Sequence, residues 1–137
     1  MKCVFTMLIF LMIAAVTLLS PADTLAEETV LVTDQKQPIA GTLLFSAAPL
    51  KSMTKIPFRL NLADSENKRS IHSAACKLTM PAMAMPDNQP ALSCSGSSCT
   101  GTAIFTMAGA WQATFGLILK DGSHASIVFD IDMVKMK

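Results

Sequence analysis

The sequence predicts an all-β fold, an antiparallel sandwich of about seven short strands. Three observations lead there. After residue 26 no stretch sustains the i, i+3, i+4, i+7 apolar spacing of an amphipathic helix, whereas period-two alternation recurs along the chain. Clusters of turn-forming residues separate the alternating runs at short intervals. The segment left for folding, residues 27–137, has the size of one compact domain.

The N-terminus is set aside first. Lys2 supplies a positive start, and Val4 to Leu19 is an apolar run of 16 residues without a charge. Ser20-Pro21 breaks the run, small residues follow, and Thr24-Leu25-Ala26 reads as a cleavage site before Glu27-Glu28. This is the pattern of a secretory signal peptide over residues 1–26, which implies export to the periplasm. The run is slightly short for a membrane span of about 17–25 residues, and an uncleaved anchor is the alternative. Cys3 lies too early to be a lipoprotein cysteine. Glu27 to Ile39 reads as a loosely held lead-in to the domain at 27–137.

The strands follow in order. Leu43 and Phe45 alternate with Thr42 and Leu44, and Phe58, Leu60 and Leu62 alternate with Arg59 and Asn61. After the polar loop Asp64-Ser65-Glu66-Asn67-Lys68, the residues Ala74, Cys76 and Leu78 share one face. Asn88-Gln89-Pro90 precedes a short hairpin, and then Ala103, Phe105 and Met107 alternate with Ile104 and Thr106. Beyond the break Ala108-Gly109-Ala110, a long strand puts Trp111, Ala113, Phe115, Leu117 and Leu119 on one face. Asp121-Gly122 is a two-residue hairpin signal. The last strand aligns Ala125, Ile127, Phe129, Ile131 and Met133. Strands of this length and spacing point to a sandwich of immunoglobulin-like type.

Composition narrows the function classes. The formal charge of +1 survives removal of the leader, because Lys2 and Asp23 cancel. A nucleic-acid partner, which needs a basic stripe, is therefore not expected. Of four cysteines, three remain after Cys3. In an oxidising compartment thiols tend to pair. Cys94 and Cys99, flanking Ser95-Gly96-Ser97-Ser98, are the expected pair across a hairpin turn. Cys76 then stays unpaired. It reads as a buried thiol, with a thiolate ligand or a disulfide to Cys94 or Cys99 as the other options.

One segment carries chemistry. Met80-Pro81-Ala82-Met83-Ala84-Met85-Pro86 places three thioethers within six positions, between two prolines. Thioether sulfur is a soft donor and selects Cu(I) among biological metals. The prolines bias Met80 and Met85 toward extended backbone, so a polyproline-like segment is expected, with Met80 and Met83 on one side. Met107, at the end of another strand, is a further candidate ligand if its turn lies at the same end. Neutral thioethers need no deprotonation, so binding through them should depend weakly on pH. The plain alternative is that these methionines cap one end of the core.

The run from Cys76 through Met80-Pro81-Ala82-Met83-Ala84-Met85-Pro86-Asp87-Asn88, followed by Phe105-Thr106-Met107-Ala108-Gly109-Ala110-Trp111 and a closing Asp121-Gly122 hairpin, resembles the YtkA-like family. These are small exported domains related to FixH-like proteins. The resemblance covers about residues 42–133 and rests mainly on the methionine loop and the Met-x-Gly-x-Trp turn. It implies an immunoglobulin-like fold and a link to copper handling or respiratory-oxidase assembly. It also implies a role for Met80, Met83, Met85 and Met107. The Cys94–Cys99 hairpin is not part of that pattern.

Other candidates are weaker. His72 and His124 are the only histidines, and two so placed do not make a zinc site. Trp111 reads as a core anchor, or alternatively as a surface against a metal or partner. Asp130 and Asp132 read as a solvated edge rather than an acid/base pair. Glycine-rich phosphate loops, GxSxG, HExxH and a Cys-His dyad are missing, so an enzyme is not expected. The expected function is a periplasmic copper-binding protein that holds Cu(I) through Met80, Met83, Met85 and Met107. It would act as a chaperone or resistance component, handing the ion to a membrane transporter or to oxidase assembly machinery. The other reading is a metal-free periplasmic module that docks on a membrane complex.

Overall fold

The computed structural model describes residues 27–33, 39–63 and 70–137. The signal-peptide assignment and the polar loop at 64–68 lie outside the described residues. Among the described residues, eight strands make up the fold: β1 (Thr29–Val32), β2 (Gly41–Phe45), β3 (Lys55–Leu62), β4 (Ile71–Thr79), β5 (Leu92–Ser95), β6 (Ser98–Ile104), β7 (Gly109–Leu119) and β8 (His124–Val134). They form two antiparallel sheets, ordered β1-β2-β3-β6-β5 and β4-β7-β8. The protein is a β-sandwich.

Without β1, the orders β2-β3-β6-β5 and β4-β7-β8 reproduce the A-B-E-D and C-F-G sheets of an immunoglobulin constant-type domain. The one addition is β1, an edge strand paired with β2 from Thr29↔Phe45 to Val32↔Thr42. This corrects the expectation of a loose lead-in. The segment Thr-Val-Leu-Val is short and only half-buried on its inner side, so its alternation carries little hydrophobic signal, and pairing with β2 holds it.

Alternation becomes burial once the sheets face each other. Leu43 and Phe45 of β2, Ile56, Phe58, Leu60 and Leu62 of β3, and Trp111, Ala113, Phe115, Leu117 and Leu119 of β7 are all buried. The aromatic rings meet mostly at tilted or edge-on angles: Phe115 packs against Phe58 and Phe129, and Phe105 packs against Phe45 and Trp111. Such edge contacts suit the ring quadrupoles and add to simple area burial.

The last strand departs from strict alternation. Ile127, Phe129 and Ile131 point inward, but Val134 is buried and Met133 is exposed. The register explains it. Trp111 pairs with Ile131 and Gly109 with Val134, so two steps on β7 oppose three on β8. The extra residue is a bulge that turns Met133 outward.

At one end sit the Ser95–Ser98 turn of β5–β6 and the Asp121-Gly122 turn of β7–β8. Gly96 and Gly122 adopt φ of 60° and 87°, which the tight turns require. The other end gathers the β2–β3, β4–β5 and β6–β7 connections and the exit of β8. In an antibody variable domain the binding loops occupy the opposite end from this one.

Candidate metal centre

Every methionine of residues 27–137 lies at that second end. Met53 is in the β2–β3 connection, Met80, Met83 and Met85 follow β4, Met107 follows β6, and Met133 and Met136 close the chain. Strand pairing accounts for this. Antiparallel order sends the ends of β2, β4, β6 and β8 to the same side.

The β4–β5 connection is the first of two here that cross between sheets. It leaves β4 at Thr79, and Pro81 does not start an extended run as expected. The Met83 N–H donates to the Met80 carbonyl at 3.2 Å, so residues 80–83 close a turn. Proline at the second position of a turn has its φ preset for that geometry, so the chain reverses at Pro81-Ala82 instead of running on extended to Met83. From Ala84 to Ala91 the backbone has no regular structure. Asn88 fixes this stretch from both sides: its carbonyl accepts from Leu78 N–H at 2.8 Å, and its side-chain amide donates to the Ile104 carbonyl at 2.9 Å. The sequence marked Asn88 only as part of a closing turn. Lys77 and Asp87 approach at 3.8 Å, but both are exposed and such a pair contributes little.

The β6–β7 connection is the second crossing. The strand ends at Ile104, and Phe105 is buried against Trp111, with ring centroids 5.2 Å apart. The Trp111 indole N–H donates to the Met107 carbonyl at 3.0 Å. Trp111 is thus the core anchor that the sequence indicated, and it also braces the turn that carries Met107. The side chain of Met107 does not continue the inward face of Ala103 and Phe105; it is 46% exposed.

The four predicted ligands divide by burial. Met80 is 8% exposed and its Cε lies against Gly109, where a Cβ would sit only 3.0 Å away. Gly109 holds φ at 129°. Met85 is half-buried and packs on the core. Met83 is 48% exposed. The two loops are therefore in direct contact through Met80 and Gly109, with Met83 and Met107 facing solvent.

Cysteine placement follows the sequence. Cys94 and Cys99 form a disulfide between directly paired residues of β5 and β6. Cys76, on β4, is free and 2% exposed. Burial in the apolar core pushes its thiol up to about 12, which disfavours the thiolate a metal would need. His72 and His124 are exposed on their strands, and so are Asp130 and Asp132. Gln112 donates to Asp130 at 2.9 Å across β7–β8, consistent with a solvated sheet face. Among the described residues no group of three or more His, Cys, Asp or Glu side chains could hold a metal ion. Among the described residues, the methionine end thus offers several thioethers and no cluster of three harder ligands.

No family model, curated protein or solved structure matches the chain.

Proposed function

We propose that this is an exported periplasmic protein that binds Cu(I) as cargo through the methionine end of its sandwich. Met83 and Met107 are the exposed donors, and Met80 and Met85 are the more buried ones. The ion passes to a membrane transporter or to respiratory-oxidase assembly machinery. The observation that carries this reading is the contact of the two sheet-crossing loops, in which Met80 reaches Gly109 two residues beyond Met107. Several thioethers without a cluster of three harder ligands among the described residues suit a soft monovalent ion. Long, unbranched methionine side chains can swing between packing and coordination at little rotamer cost. The resemblance to YtkA-like domains supports the same reading, and the leader sequence supports the compartment.

Anaerobic Cu(I) titration against a chromophoric chelator tests it. Replacing Met80, Met83 and Met85 together by leucine preserves volume and removes the sulfurs. The expected result is a loss of at least tenfold in affinity, on the order seen when metal sites lose supporting groups. Unchanged affinity would overturn the proposal.

The burial of Met80 and Met85 favours a second reading, in which the loop is a core cap with an apolar docking surface and no metal. Membrane-complex capture that survives chelation and needs the loop would select it.

A further inference from the structure

Met53 departs from what its residue type favours. It holds φ at 54°, the left-handed region, and it is the one non-glycine residue to do so among the described residues. Methionine has no side-chain polar group to compensate that conformation locally, unlike asparagine or aspartate. Packing does not compensate it either, because Met53 is 62% exposed. The conformation is held by the backbone bonds of its loop rather than by the side chain, which leaves the thioether exposed for another purpose.

Its surroundings fix where it stands. The neighbouring Ser52, itself buried, donates its N–H to the Lys135 carbonyl at 2.8 Å. The Met53 N–H donates to the Phe105 carbonyl at 2.7 Å. Residue 105 lies two positions before Met107, in the loop braced by Trp111. The β2–β3 connection is thus tied by one backbone bond to the loop that carries Met107 and by another to the chain beyond β8, and the strained residue at the first tie is another exposed thioether.

From this geometry we infer that Met53 is a thioether ligand of the same soft-cation site, on its solvent side, where cargo is received and released. The inference rests on the proposed Cu(I) reading and adds a ligand from a third loop. The site is then shared by the β2–β3, β4–β5 and β6–β7 connections. Its exposed donors are Met53, Met83 and Met107, and Met80 is its buried one. The chemical class of ligand is a d10 monovalent ion, with Ag(I) as an air-stable probe.

The test is methyl NMR of the purified protein labelled with carbon-13 at methionine Cε, titrated with Ag(I). The Met53 signal is assigned by its loss in Met53→Leu. The inference expects the Met53 methyl to shift together with those of Met83 and Met107. Shifts at Met83 and Met107 without Met53 overturn the inference and leave the Cu(I) reading intact. No shift at any methionine overturns both. A second variant separates sulfur from strain. Met53→Gly relieves the left-handed backbone and removes the thioether, so it should melt at a higher temperature yet bind roughly tenfold more weakly. Higher stability with unchanged affinity overturns the ligand role of Met53.

Discussion

At the scale of single residues, environment decides what a given side chain can do. Cys76 shows this most directly. Burial raises its thiol to about 12 from an ordinary 9.0. A raised pKa means that folding favours the neutral thiol. Its contribution to stability is fully present below about pH 9 and is lost as pH rises from about 9 toward 12. The melting temperature should therefore fall more steeply above about pH 9 in the wild type than in Cys76→Ala, which scanning calorimetry at stepped pH would show. Equal slopes would mean that the thiol does not titrate as its burial requires. Gly109 is the other telling position. An alanine there would take a strained φ and drive its Cβ onto the Met80 methyl. Gly109→Ala should cost more than about 1 kcal/mol in urea denaturation. It should also displace Met80, visible as a moved methyl resonance. Neither effect was legible in the sequence. Ala108-Gly109-Ala110 reads as a break, but what a glycine approaches depends on a loop from another strand.

At the scale of elements, local pattern did most of the work. The β7 and β8 strands are long, alternate cleanly and meet at an Asp-Gly turn, so they are readable from sequence alone. The β5–β6 hairpin is readable because Cys94 and Cys99 bracket a Ser-Gly turn. Its strand β5 has four residues and lies at the edge of the larger sheet, so the disulfide is a main restraint on it. Replacing both cysteines by alanine should lower stability by about 2 kcal/mol, the chain-entropy value for so small a loop. The loss should concentrate as faster amide exchange in Leu92–Ser95. Uniform loss of protection across both sheets would instead mean that the hairpin holds the whole core. Two elements escaped the pattern. The β1 strand has weak burial on either face, so only its pairing with β2 defines it. The end of β8 looked like continued alternation through Met133. A bulge opposite Gly109 shifts the phase there, and a bulge is a property of two strands together.

At the scale of the whole molecule, the immunoglobulin-type strand order turns a scattered residue type into a polarised surface. Methionines far apart in sequence are delivered to one end because the three connections and the chain exit there all lie on that side. The proposed Cu(I) site has no ligand that must lose a proton, since Cys76 is buried and both histidines sit at the starts of β4 and β8, at the other end of the sandwich. Cu(I) affinity should therefore change little between about pH 5 and about pH 8, measured by competition with a chelator corrected for its own protonation. A steep rise with pH would place histidine or cysteine in the site and contradict a thioether set.

The sequence by itself determined the all-β class, most of the strands, the Cys94–Cys99 pairing and the presence of a methionine loop, because each is written in short-range alternation, turn residues or spacing. Only the tertiary structure decided which thioethers are free. Met80 and Met85 sink toward the core while Met83 and Met107 stay out, and that division depends on how two sheets close over a shared interior. It also decided that Met53 belongs with Met107, through one backbone hydrogen bond between loops that are remote in the chain. Period-two patterning records which face of its own strand a residue occupies. It holds no information about which other loop that residue will meet.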